Sequence, residues 1–366
     1  MKKRTVALIS VLMLLLMVLT ACGNNTKPST TPQNSVAPTK AEDQPKESEL
    51  KQTNVVVLYS SGSTTQNELV QRMWEERYPN VTLEIVSAGS GELQNRIIAE
   101  ANNPQGDVIM GGSYAVYSAL SDYLTPYVSP NVEDCIPEFR STNDKFTAIQ
   151  INVNTIMVNN QLLNELGVTV DGWESLTNPA LKGKIIFADP SSSSSGREQL
   201  INMMTAMSPT GKPEDGWDFV KKYIENLDGK ISSSSSAIYT GVANGEYAVG
   251  ITNEEKVIEY MINGADVSPV YAKEGITLRT SYCGIIKGCK NEYNARLLVD
   301  LLTSKEYQQA AAEELYQRSV RSDVNFSLEG IPATTELVSI EYPTDWVEEN
   351  SDLIKEKFQE LWTSAQ

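Results

Sequence analysis

Apolar and β-branched residues gather along this chain into short runs, each broken by a polar turn and followed by helical spacing. Asn54 to Tyr59 (NVVVLY) ends in Ser60-Ser61-Gly62-Ser63-Thr64, after which Leu69, Val70, Met73 and Trp74 fall on one helical face. The same unit recurs. Val81 to Val86 leads through Ala88-Gly89-Ser90-Gly91-Glu92 into a helix carrying Leu93, Ile97 and Ile98, and Asp107 to Met110 leads through Gly111-Gly112-Ser113 into another. Further on, Lys184 to Ala188 runs into Asp189-Pro190, the serines Ser191 to Ser195 and Gly196, then a helix rich in Leu, Ile and Met. Ser232 to Ser236 precede a helical face of Ile238, Val242 and Ala243, and the strand Tyr247 to Ile251 ends at Thr252-Asn253-Glu254-Glu255. Strands feeding helices through Gly/Ser turns predict an open α/β sheet with parallel pairs, whose binding site lies off the carboxyl ends of its strands. Trp217 with Phe219 and Val220, and Leu315 with Tyr316, read as core, and Asp345 to Trp362 as an amphipathic helix packed on the body.

The N-terminus follows a different pattern. Lys2, Lys3 and Arg4 precede an apolar run from Val6 to Leu19, the charged and apolar regions of an export signal and too short to span a bilayer comfortably. It ends Leu19-Thr20-Ala21-Cys22, which resembles the bacterial lipobox and implies cleavage after residue 21 and lipidation of Cys22. The bland alternative is an uncleaved anchor or an ordinary signal, and either exports the body. Residues 22 to 52 are mostly Asn, Thr, Pro, Ser, Gln, Lys and Glu, with too little apolar surface to offset ordering entropy, so they read as a tether. About 315 residues remain, which favours two lobes, each with its own core. Loss of Lys2, Lys3 and Arg4 with the signal takes the formal charge from −17 to −20, which disfavours nucleic acid and anionic membrane as partners.

The chain contains no histidine, which excludes a Ser-His-Asp triad, a Cys-His pair and imidazole-based zinc sites. Gly111-Gly112-Ser113-Tyr114-Ala115 comes near a nucleophile elbow, but a serine without a base is a poor nucleophile. There is no P-loop, dinucleotide fingerprint or calcium-loop pattern, so no cofactor and no resident metal are expected. Beyond Cys22, the three cysteines Cys135, Cys283 and Cys289 allow at most one intramolecular bridge. Cys283 and Cys289 are the closest pair in sequence, and buried thiols are an equal alternative.

The turns carry the chemistry. A helix N-terminus leaves backbone N–H groups unpaired and partially positive, and a serine hydroxyl there can donate as well as cap. Several together form an anion cradle. One serine alone reads first as a plain N-cap, but two long serine runs exceed what capping needs. Tyr59, Tyr114, Tyr239 and Tyr282 read more naturally as packed than as cleft-lining, and Arg197 as facing water.

From about Val55 to Asp323 the chain resembles the periplasmic-type binding proteins known as ferric-iron ABC receptors, a family that also includes receptors for thiamine, phosphonates and sugar phosphates. The segments that match are Val57-Leu58-Tyr59-Ser60-Ser61, Gly89-Ser90-Gly91-Glu92-Leu93, Gly106 to Ser113, Ala180 to Ile185, Ala188-Asp189-Pro190-Ser191-Ser192, Ser234-Ser235-Ser236 and Asn244 to Ile251. The resemblance implies a two-lobed type II periplasmic-binding-protein fold with a mixed, mainly parallel sheet in each lobe. It implies lobe 1 from 53 to 149 plus about 268 to 316, and lobe 2 from 150 to 267 plus about 317 to 366. The hinge strands are expected near Thr147 to Val158 and Val267 to Tyr271, and closure on the ligand is what a transporter recognises. Iron-binding members carry adjacent tyrosines where this chain has Glu254 and Glu255, so the resemblance favours the phosphonate and sugar-phosphate branches. It puts Ser60, Ser61, Ser90, Ser113, Ser191, Ser192, Ser193 and Ser236 on the ligand's anion, and Glu254 and Glu255 on its ammonium or hydroxyl end. The expected protein is a non-enzymatic, monomeric receptor, lipid-anchored on the extracytoplasmic face, serving an ABC permease and its ATPase. Ferric iron held by carboxylates and an exogenous anion is the alternative cargo, and an exported enzyme the rival class.

Overall fold

A computed structural model describes residues 53–141, 143–325 and 327–366 of the protein. The signal and tether read at 1–21 and 22–52, with the lipidation site Cys22, lie outside the described residues. The first half of the body contains β1 (Val55–Ser60), α1 (Thr64–Arg77), β2 (Thr82–Ser87), α2 (Ser90–Ala99), β3 (Val108–Met110), α3 (Tyr114–Ala119) and β4 (Leu124–Thr125). Then come β5 (Thr147–Asn159), α4 (Asn160–Leu166), β6 (Ile185–Ala188), α5 (Ser194–Ala206), α6 (Trp217–Leu227), β7 (Ile231–Ser232), α7 (Ser236–Ala243), β8 (Val249–Asn253) and α8 (Glu254–Ile262). The chain finishes with β9 (Val267–Val270), β10 (Ile276–Ile286), α9 (Glu292–Thr303), α10 (Lys305–Leu315), β11 (Ser339–Ile340) and α11 (Thr344–Ser364).

Local chemistry accounts for the strand-to-helix steps. β1 buries Val56 and Leu58 completely, each worth about 1.5–3 kcal/mol relative to exposure. The strand stops where Ser60, Ser61 and Gly62 replace the β-branched residues, and α1 starts where the Ser63 hydroxyl accepts the Gln66 N–H at 3.2 Å. Trp74 fixes the helix on the sheet by donating its indole N–H to the Val81 carbonyl at 2.8 Å. α4 ends in Gly167 at φ 64°, a left-handed cap that favours glycine.

The sheet is continuous, in the order β2-β1-β3-β10-β5-β8-β6-β7, with β4 and β11 on β10 and β9 on β5. Pairing is parallel for β1 with β2 and β3 and for β6 with β7 and β8, as strand–helix–strand units require. The long strands β5 and β10 run antiparallel to each other, Thr147–Val153 against Cys283–Leu278. Beyond that stretch β5 pairs with β8 and β9, so one strand serves both halves of the sheet. The first expected hinge strand is therefore β5. The return crossing is β10 rather than Val267 to Tyr271, which forms β9 against the far end of β5. Both runs look like strands in sequence, and only pairing distinguishes them.

Two buried clusters flank the β1–β3 side, one around Leu58, Trp74 and Leu298 and one around Tyr59, Tyr117 and Phe146. Two more flank the β6–β8 side, one around Trp173, Phe187 and Phe358 and one around Met157, Ile238 and Val257. Ile354 and Phe358 of α11 belong to the Phe187 cluster, so the C-terminal helix packs on the body as its spacing predicts. Phe219 and Val220 are core, with Trp217 packed against them, and Leu315 packs on the Leu58 cluster at the edge of the cleft described below, while Tyr316 lines that cleft. Cys135, Cys283 and Cys289 are free thiols, and burial pushes the Cys289 thiol up to about 12. Gly196, in the first turn of α5, is buried so closely on β6 that a Cβ would lie 2.4 Å from the Ala188 carbonyl oxygen. Gly196→Ala is expected to cost about 1–3 kcal/mol in urea unfolding, the usual cost of overpacking.

Candidate ligand-binding cleft

The carboxyl ends of β1, β2 and β3 face those of β6 and β8 across a cleft of about 1070 Å³. One wall is made by the turns after β1, β2 and β3, and the other by the turns after β6 and β8. The crossing strands contribute Gln150, Asn152 and Asn154 from β5 and Arg279, Thr280 and Ser281 from β10. Three consecutive lining residues on β10 depart from strict strand alternation, and the register shifts beside them, between Ser281 and Tyr282.

Two glycines bring the first wall together. Gly111 (φ 86°) and Gly112 (φ 94°) sit in backbone that side chains disfavour, and a Cβ on them would meet the Ser61 Oγ at 2.5 Å and the Ser90 Cβ at 3.1 Å. Their absent side chains let the turns after β1, β2 and β3 converge, so that Ser61, Ser90 and Ser113 line one space. Ser61 is held there by its N–H donating to the Met110 carbonyl at 2.9 Å. The N-cap of α2 is Gly89, which has no side chain to cap with, and the Ser113 hydroxyl caps no backbone N–H of α3. Backbone N–H groups at these helix starts are left for another acceptor.

On the second wall Asp189 organises the serine loop. Its carboxylate accepts the Ser191 N–H at 2.8 Å, and its carbonyl accepts the Ser193 N–H at 2.7 Å. The Ser193 hydroxyl caps α5 by accepting the Gly196 N–H at 3.1 Å and lies 3.0 Å from the Ser195 hydroxyl. The Ser191 hydroxyl accepts from Gln359 Nε2 of α11 at 2.8 Å, and the Ser192 hydroxyl reaches the Asp189 carbonyl at 3.5 Å.

Of the residues singled out in the sequence, Ser61, Ser90, Ser113, Ser191, Ser192, Ser193 and Glu255 come together in the cleft lining, and Ser60, Ser236 and Glu254 stand outside it. Ser60 is fully buried, donating to Asn67 Oδ1 at 2.5 Å and accepting the Gly62 N–H at 3.0 Å, so it shapes the turn. Ser236 starts α7 with its hydroxyl 2.7 Å from that of Ser234. Glu254 is buried in a two-pronged ion pair with Arg318, at 2.7 Å from both Nε and Nη2, and also accepts from the Tyr271 hydroxyl. Of the two expected acceptors only Glu255 lines the cleft, its carboxyl raised by burial and held by Asn253 Nδ2 at 3.2 Å.

The cleft also contains residues that the sequence reading set aside or missed. Arg197, expected to face water, lines it, as do Lys256 and Arg279. Lys256 Nζ pairs with Glu259 at 2.7 Å. Tyr59, Tyr114 and Tyr282 belong to a buried aromatic cluster, and Tyr239 packs on Tyr260. Tyr316, read as core from its sequence, reaches the cleft from a left-handed position at φ 57° just after α10. Among the described residues no group of three or more His, Cys, Asp or Glu side chains is placed to hold a metal ion.

Residues 55–315 match the family described as bacterial extracellular solute-binding protein. A Salmonella typhimurium periplasmic protein, provisionally named for 2-aminoethylphosphonate binding, is 25% identical over 260 residues, 70% of this chain and 74% of the relative. The periplasmic binding protein AfuA from Actinobacillus pleuropneumoniae, in a structure with fructose-6-phosphate bound, has a TM-score of 0.74 at 26% identity, covering 85% of this chain and 99% of AfuA. Iron-bound HitA from Pseudomonas aeruginosa shares the fold, with a TM-score of 0.69 at 17% identity over 83% of this chain and 99% of HitA. No helix among the described residues is long and apolar enough to cross a membrane. The chain belongs to the bacterial extracellular solute-binding protein family, with the mixed α/β architecture of the periplasmic binding proteins.

Proposed function

We propose that this protein captures a small organic anion bearing a phosphate or phosphonate group and delivers it to an ABC permease and its ATPase. One observation carries the reading: serine hydroxyls and helix-start amides face a single cleft from both walls, Ser61, Ser90 and Ser113 from one and Ser191 to Ser195 from the other. Hydrogen bonds to a charged partner contribute about 1.5–3 kcal/mol each, so a few of these donors suffice for tight capture. Glu255 receives the opposite end of the ligand, an ammonium or hydroxyl donors. The relatives at 25–26% identity, named for an aminophosphonate and holding a sugar phosphate, support this chemistry.

In this reading the lobes are residues 53–149 with the chain from β10 to about 316, and 150 to β9 with about 317–366, the return boundary moved from about 268 to β10 by the pairing of β9. They are joined by β5 and β10 and close on the ligand. The protein is a monomeric receptor, not an enzyme, tethered through lipidated Cys22 on the extracytoplasmic face. Native mass spectrometry of protein from its own cells, followed by calorimetric titration with fructose 6-phosphate, 2-aminoethylphosphonate and ferric citrate, tests it. A phosphorus-containing adduct, or binding of a phosphorylated compound, is expected. Bound iron with no response to either phosphorus compound would overturn it.

A further inference from the structure

Arg279 is the cationic group in this cleft whose setting asks for an additional partner. It lies on the crossing strand β10, opposite Asn152 of β5, with a side chain only 11% exposed. Its Nη1 is buried without a hydrogen-bond partner: Glu198 Oε1 lies 2.9 Å away, but out of line for an N–H···O bond. The guanidinium is pinned over the ring of Tyr342, with Cζ 4.0 Å from the ring centre. A permanently charged fork, stacked in place and incompletely hydrogen-bonded, is preorganised for a planar or tetrahedral oxyanion.

Helix α5 and strand β10 run alongside each other in a register that brings this arginine to the serine loop. Asn202 of α5 accepts the Thr277 N–H at 3.0 Å and donates to the Gly275 carbonyl at 3.4 Å. Four residues back along α5, about 6.0 Å, is Glu198, and two residues on along β10, about 6.6 Å, is Arg279, which it meets. A further turn back along α5 is Ser194-Ser195, two residues on along β10 is Ser281, and all three line the cleft. The serine loop and Arg279 therefore open on the same cleft from adjoining stretches of α5 and β10.

We propose that Arg279 is the charged anchor for the ligand's phosphoryl group and sets selectivity for it, with Glu198 a counter-ion that holds the guanidinium until the ligand's oxyanion takes over. This deepens the proposed function and rests on it. The test is calorimetric titration with fructose 6-phosphate and 2-aminoethylphosphonate of wild type, Arg279→Gln, Arg279→Lys and Glu198→Gln, with thermal melts confirming folding. For whichever compound binds wild type, Arg279→Gln is expected to weaken affinity at least 30-fold and Arg279→Lys, which keeps charge but loses the fork, about 10-fold. Glu198→Gln, which removes the carboxylate competing for the guanidinium, is expected to bind about threefold or more tighter than wild type, whereas a merely structural Arg279–Glu198 pair would leave affinity unchanged or weaker. If both arginine variants fold and bind within threefold of wild type, the Arg279 assignment is wrong and the receptor reading stands. If Arg279→Gln fails to fold, Arg279→Lys and Glu198→Gln decide alone. If wild type binds only ferric citrate, the phosphorylated-anion reading fails, and the Arg279 assignment with it.

Discussion

Glu254→Gln lowers the unfolding free energy by about 3–5 kcal/mol, the loss associated with removing one partner of a buried ion pair. The Glu254 and Arg318 side chains are 3% and 1% exposed, so neither finds water when the other is neutralised. Arg318 also donates to the Thr334 hydroxyl at 2.9 Å and the Pro332 carbonyl at 2.7 Å, and its own carbonyl accepts the Ile151 N–H at 2.9 Å. The pair thus ties the first residue of α8 to β5 and to the segment leading toward α11. Glutamine keeps the shape and supplies one acceptor oxygen, but its amide directs N–H groups at a guanidinium that only donates. Urea denaturation with an unchanged m-value is the measurement, and a loss below 1 kcal/mol would mean that Glu254 is not the group balancing Arg318. Glu255, the next residue, lines the cleft, so ligand affinity falls along with stability.

This arrangement marks where sequence reading runs out. The parallel strand–turn–helix units were legible because each is local: a β-branched run, a Gly/Ser turn and a 3.6-residue period lie within about twenty-five residues of one another. The serine loops were legible for the same reason, and so was the convergence of Ser61, Ser90 and Ser113, since ligands bind off the carboxyl ends of parallel strands. What separates Glu254 from Glu255 is not local. Adjacent acidic residues at a helix start look alike in sequence, and their fates diverge through a partner 64 residues away. Arg279 shows the same limit, because its place in the cleft depends on how α5 packs on β10, and in sequence it is one charge in a β-branched run. Ser60 and Ser61 were likewise indistinguishable until strand pairing turned one inward to Asn67 and the other toward the cleft. The identification of β9 as a hinge failed on pairing alone.

The double variant Ser90→Ala with Ser113→Ala is expected to lose affinity about 100-fold or more for the phosphorylated ligand while unfolding within about 0.5 kcal/mol of wild type. The two halves of this expectation have separate causes. Ser113 stands at the N-cap of α3 but caps no N–H, and Ser90 follows an N-cap glycine, so neither hydroxyl has a protein partner among the described residues whose loss would destabilise the fold. Two hydrogen bonds to an anion, at about 1.5–3 kcal/mol each, give the expected loss of at least 3 kcal/mol in binding. Ser193→Ala is the comparison in which stability also changes. Its hydroxyl caps α5 through the Gly196 N–H, so its removal costs about 1 kcal/mol of stability. Calorimetry and urea melts on the three proteins separate donors from caps. If the double variant binds as wild type does, these hydroxyls serve only the first wall's packing, and anion capture has to rest on the serine loop and Arg279 beside it.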